Sequence, residues 1–146
     1  MQLVKYPNPI LTQKSKDVKI SREVLDFIDE MMEFYKTELK WGNPVGLAAP
    51  QVGKNWNIFI ALDKVYINPR ITWRPSGGWT TREEGCFSLE ENKFDYKVRR
   101  QDALRLQWID VDGSVKEERF HGFEAQVIQH EMDHLEGKLC CGEIKE

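Results

Sequence analysis

Cysteine is scarce in this chain: three residues in 146, an odd number that builds no disulfide framework. Histidine is as rare, also at three. No apolar run approaches the roughly 18 residues a bilayer span needs, so no membrane segment is expected. Charge of one sign is lacking too. The 21 Lys and Arg against 24 Asp and Glu leave a net charge of -3, and the only tight basic pair is Arg99 and Arg100. Such a chain has no field for gripping a phosphate backbone, so no nucleic-acid partner is expected. No repeat, low-complexity tract or Gly/Ser-rich linker divides the sequence, which predicts a single domain over 1–146. The opening MQLVKYPNPI lacks both the charged-then-apolar profile of a secretory signal and the Arg-rich look of a transit peptide, which predicts a cytoplasmic protein.

What is present suits a globular core: 40% hydrophobic residues, including five Trp, seven Phe and four Tyr. After Ser21, a good N-cap, apolar residues recur every three or four positions from Val24 to Leu39, predicting an amphipathic helix over 22–40 whose stripe packs into the core. Two runs rich in Ile, Phe, Val and Tyr between Asn57 and Ile71, parted by Asp63 and Lys64, read as consecutive strands. Leu104, Leu106 and Trp108 alternate with polar residues, Asp112 and Gly113 supply a turn, and Val115 to Phe120 leads back, predicting a hairpin. Pro75 to Trp79 reads as a loop. Phe123, Val127, Ile128, Met132 and Leu135 carry helical spacing from Gly122 to the capping Gly137. Helices separated by runs of strands point to an α+β fold, with largely antiparallel sheets around a C-terminal helix.

That last helix carries His130, Glu131, Met132, Asp133 and His134, the pattern H-E-x-x-H. Residues four apart share one helix face, so two imidazoles can reach one cation, with the intervening Glu placed to hold water beside it. Two surface histidines by coincidence are the bland alternative. The spacing and Glu131 speak against it, whereas His121 just outside the helix reads as a surface or capping residue. A catalytic metal site uses three protein ligands and one open position. Cys140 could supply the third, since His130 to Cys140 reads H-E-x-x-H-x-x-G-x-x-C, close to the metzincin pattern. Cys86, within Glu84, Gly85, Cys86, Phe87 and Ser88, could do so equally well, and spacing alone leaves both open. Gly46 to Gln51, the run GLAAPQ, is too small-residued for a long helix or central strand and reads as a loop pressed against something.

Taken in order, GLAAPQ at 46–51, EGCFS at 84–88 and QHEMDHLEG at 129–137 resemble the peptide deformylases, and the similarity extends to Pro7, Pro9, Leu11 and the first helix. The resemblance implies a metal-dependent hydrolase that removes the formyl group from the N-terminal formyl-methionine of nascent polypeptides and releases formate. It implies Cys86, His130 and His134 as metal ligands, with Cys140 and Cys141 as bystander tail thiols. Glu131 would be general base and then general acid. The Gln51 side-chain amide and the Phe87 backbone N–H would stabilise the developing oxyanion. Substrate backbone would lie along Gly46 and Gly85 as an added strand. Val45, Phe123 and Val127 are candidates for the methionine pocket, with ordinary core packing as the equal alternative. Fe(II) is the implied metal, and the softness of a Cys ligand also admits Zn(II), Ni(II) or Co(II).

The sequence departs from the family pattern at several positions. Pro44 replaces the first glycine of a Gly-x-Gly, and Phe87 stands where Leu is usual. Glu90 takes a usual proline position, and Lys93 falls where Arg contacts substrate. Gln126 stands on the expected pocket side where an aliphatic residue is common, so strict methionine preference is not carried over. The chain stops soon after the metal helix, like compact virus-encoded members, so ribosome docking is not carried over, and the host cytoplasm is the setting if that likeness holds; separately, a monomer is the favoured state. Two rival readings remain: a small metallopeptidase using Cys140, and a non-catalytic zinc-stabilised binding module.

Overall fold

The computed structural model describes residues 1–42, 44–89 and 96–140. Helix α1 (Arg22–Thr37) opens on Ser21, whose Oγ accepts from the Val24 backbone N–H at 3.2 Å. A cap of this kind contributes about 1 kcal/mol. Val24, Phe27, Ile28, Met31 and Tyr35 form the buried stripe and pack into the core, as expected. The helix ends short of residue 40, where a 3-10 turn at Lys40–Gly42 takes over.

The strands are β1 (Gly46–Ala48), β2 (Ile58–Ala61), β3 (Lys64–Trp73), β4 (Trp79–Glu84), β5 (Tyr96–Gln101), β6 (Ala103–Ile109) and β7 (Val115–His121). Five of them form one sheet in the order β1-β2-β3-β6-β7, antiparallel throughout, while β4 and β5 form a separate antiparallel ribbon. Strand β2 explains the sheet's position. Ile58 and Ile60 pack with the α1 cluster, and Phe59 and Ala61 with the opposite cluster. Both of its faces are buried, so its sequence reads as a continuous apolar run.

The expected hairpin forms, and the two runs read as consecutive strands pair as a second one. Leu62 and Asp63, at φ 47° and 69°, make the tight turn between β2 and β3, and Gly113, at φ 87°, serves the turn between β6 and β7. Pro69 sits inside β3, where the register with β6 shifts between Ile67 and Arg70. Such a break is where a strand tolerates a residue without an N–H.

Helix α2 (Gly122–Leu135) contributes Ala125, Val127, Ile128 and Leu135 to the core cluster that holds Phe59, Tyr66, Trp108 and Phe120. Gly137 ends it at φ 79°, and a Cβ there would lie 2.6 Å from the Thr12 carbonyl oxygen, so the position demands glycine twice over. Two expectations need correction. GLAAPQ is not a loop throughout: it forms the short edge strand β1 and a 3-10 turn at Ala49–Val52, with Leu47, Ala48 and Ala49 fully buried. The loop at 75–79 ends one residue early, because Trp79 begins the β4–β5 ribbon that sequence patterning did not reveal. Among the described residues no helix is long and apolar enough to cross a membrane.

Candidate active site

The last turns of α2 carry His130, Glu131 and His134 toward the turn that follows β4, where Gly85 and Cys86 stand. Cys86, His130 and His134 each offer one ligand atom, and these atoms all lie within 4.8 Å of one another. Cys86 Sγ is 3.3 Å from His134 Nε2. His130 Nδ1 lies 2.7 Å from Glu84 Oε1, which fixes the ring and leaves its Nε2 as the nitrogen able to ligate. One thiol and two imidazoles fit a divalent transition metal with an open coordination position.

Glu84 is the anchor of this arrangement. Its carboxylate receives Arg100 Nε at 2.9 Å and the guanidinium NH2 at 2.8 Å, His130, and Gln126 Nε2 at 3.2 Å, and Arg100 also bonds Asp133. Burial alone would raise the Glu84 carboxyl, but the bonds from Arg100 and His130 outweigh it and hold it at about 2. A buried ion pair costs several kcal/mol of desolvation, and here the hydrogen bonds on every side offset that cost. The two imidazoles part company. Burial works to lower both, but contacts with Cys86 and Glu84 carry His130 well above its ordinary value, while the charge on His130 helps push His134 well below.

Beside this cluster opens a cavity of about 230 Å³. Glu131 faces it, 3% exposed, and its Oε1 has no hydrogen-bond partner among the described residues. Burial pushes its carboxyl up to about 7, the range in which a group can both take and return a proton. Gly46, on the edge strand, approaches so closely that a Cβ there would lie 2.4 Å from Glu131 Oε2. Gln51 is buried, accepts from the Ala48 N–H at 2.9 Å through Oε1, and turns Nε2 toward Cys86 Sγ and Ser88 Oγ, each at 3.3 Å. Phe87 packs its ring against Gly42, where a Cβ would meet the ring edge at 2.4 Å.

A family model described as polypeptide deformylase matches residues 1–146. The chain belongs to the peptide deformylase family. A peptide deformylase from Pseudothermotoga lettingae is 36% identical over 137 residues, spanning 90% of this chain and 75% of the relative. One from Dictyoglomus thermophilum is 36% identical over 143 residues, spanning 94% and 88%. Among solved structures, the peptide deformylase of Thermotoga maritima superposes with a TM-score of 0.87 at 29% identity, over 97% of this chain and 95% of that one. Peptide deformylases are metal-dependent hydrolases, and the rival readings are not favoured. Cys140 packs in the same buried cluster as Cys86, with Leu11, Leu89, Val98 and Leu139, but it is not in the group of converging ligand atoms. Its thiol is buried and in no disulfide, and Cys141 lies outside the described residues.

Most positions singled out from the sequence meet at this deformylase cavity. Val45, Gly46, Gln51, Gly85, Cys86 and Phe87 line one side; Phe123, Val127, His130 and Glu131 line the other. Phe123 and Val45 stay 55% and 39% exposed at the rim, so core packing does not account for them, whereas Val127 serves core and cavity together. His121 occupies the N-cap position of α2 but its exposed side chain makes no cap bond. Lys93 and Glu90 lie outside the described residues. Arg100, Asp133 and the anchoring role of Glu84 escaped the sequence reading. Once 96–101 is known to be a strand, alternation puts Val98 and Arg100 inward and Lys97 and Arg99 outward, the one signal that could have found Arg100.

Proposed function

We propose that this chain hydrolyses the N-formyl group of formyl-methionyl peptides in the cytoplasm, as a monomer acting on nascent chains. The observation that carries the reading is the approach of Cys86, His130 and His134 within 4.8 Å beside a cavity faced by the buried Glu131. In this reading those three residues hold the divalent ion, Fe(II) by family likeness, with Zn(II), Ni(II) or Co(II) admitted by the same donors. The ion, when bound, supplies a Lewis acid and brings the pKa of water toward neutrality.

The protein supplies the rest. Glu131 accepts a proton from the attacking water, whose oxygen bonds to the formyl carbon, and returns it to the departing amine nitrogen as the C–N bond breaks. Formate and a free N-terminus result. The Gln51 amide and the Phe87 backbone N–H donate to the oxygen that gains charge during the attack, and losing one such donor typically costs about 3 kcal/mol of barrier. Among the described residues strand β1 pairs on one side only, with β2, so its other edge and Gly46 can accept the substrate main chain as an added strand, with Gly85 opposite. Val45, Phe123 and Val127 would receive the first side chain, and Lys93 is carried over from the family pattern as a substrate contact. A solved relative from Synechococcus elongatus, 30% identical with a TM-score of 0.88, is in complex with actinonin, which supports a ligand-binding role for this fold. The test is formate release from formyl-Met tripeptides by anaerobically prepared protein. Acetylated and internal-amide peptides should stay intact, and cleavage of an internal amide instead would favour the peptidase reading.

A further inference from the structure

One group in the cavity wall has no part in the proposed reaction. Gln126 lies on α2 one turn before His130, partly exposed and lining the cavity that Val45, Phe123 and Val127 also line, with Glu84 beside it. Its Nε2 donates to Glu84 Oε2 at 3.2 Å. Both Glu84 oxygens already accept from Arg100, so the carboxylate meets Gln126 as an acceptor, with the amide nitrogen toward Glu84 and the carbonyl oxygen away from it. Among the described residues nothing donates to that oxygen.

An all-apolar pocket rejects a polar side chain of methionine's shape because the entering group sheds water without gaining a partner. An acceptor in the wall reverses part of that balance. It meets a donor on the entering side chain, and it is left unpaired when a purely apolar one enters.

We propose that Gln126 is a specificity-determining residue that gives the side-chain pocket mixed polarity, so that formyl peptides beginning with a donor-bearing residue of methionine's length, such as glutamine, are accepted comparably with formyl-methionyl ones. This rests on the deformylase reading and names the substrate class of the same site.

The test is kcat and KM, by formate release, for formyl-Met, formyl-norleucine and formyl-Gln tripeptides with the wild-type protein and with Gln126→Met and Gln126→Leu. In the wild type the formyl-Met to formyl-Gln ratio of kcat/KM should stay below about tenfold. In either variant it should rise by at least about tenfold, in the range that pocket contacts discriminate, with the change carried by KM. A larger wild-type ratio overturns the proposal. So does a ratio that the substitutions leave in place, or a fall in kcat common to all three peptides, which is what a mere prop for Glu84 would give. If neither variant folds, the wild-type ratio decides alone. Failure of the wild type to release formate from any of these peptides defeats the deformylase reading itself, a result distinct from an unmoved ratio.

Discussion

Glu131 joins three properties seldom found in one carboxylate: near-complete burial, an oxygen without a partner among the described residues, and a pKa raised by that burial to about 7. Glu131→Gln keeps the shape and removes the proton acceptor. Bound metal should be retained while formate release falls at least about 100-fold. Metal analysis and steady-state kinetics on one preparation check this, and a variant keeping a large share of wild-type kcat would remove Glu131 from the proton transfer. The spacing of His130, Glu131 and His134 was legible in the sequence because helical periodicity is local. Arg100 was not. Beside Arg99 it reads as half of an exposed basic pair, yet Arg99 turns outward over the Trp79 ring at 5.3 Å while Arg100 turns inward to Glu84 and Asp133. Those partners lie on other elements, beyond the reach of any short pattern.

Strand β1 is the element whose small residues have the most direct consequence. Gly46 needs no unusual backbone; it needs the space, since Glu131 Oε2 occupies the position a Cβ would take and the Ile60 carbonyl lies 3.0 Å away on the other side. Gly46→Ala must therefore displace Glu131, and kcat for formyl-Met peptides should fall about 100-fold, the usual consequence of misplacing a reacting group by an ångström. An unchanged kcat would mean that Glu131 has room to spare. The run of small residues was visible as close packing, but its being a strand was not, because three residues at a sheet edge are too few to show alternation. The β4–β5 ribbon was hidden for a different reason. The residues it buries include Glu84, Arg100 and Gln101, so the apolar and polar alternation that marks a half-buried strand is missing where the ribbon supports the site.

Across the whole molecule, one sheet is gripped between two helices, and Tyr66 stands at the centre of the α2 side, 5.0 Å from the ring of Phe59 and 4.8 Å from that of Trp108. Burial, aided by Glu118 and Glu124, raises its hydroxyl from 10.0 to about 12. A group whose folded pKa is raised gives stability that is complete below its unfolded value and is lost as the pH climbs through the folded one. Tyr66 should therefore cost the fold up to ~3 kcal/mol between about pH 10 and pH 12. The difference in urea midpoint between wild type and Tyr66→Phe, followed across that range, isolates this contribution; parallel curves would contradict it. The fold class was legible because two amphipathic helices and two hairpins each carry local signals. Spacing alone left Cys86 and Cys140 open, since either thiol satisfies it; the family resemblance chose Cys86, and the fold brings Cys86 rather than Cys140 within reach of both histidines. Metal bound per chain in Cys86→Ala and Cys140→Ala, prepared anaerobically, tests the site most directly. One ion should persist in Cys140→Ala and be lost from Cys86→Ala, and the opposite pattern would contradict the site as described.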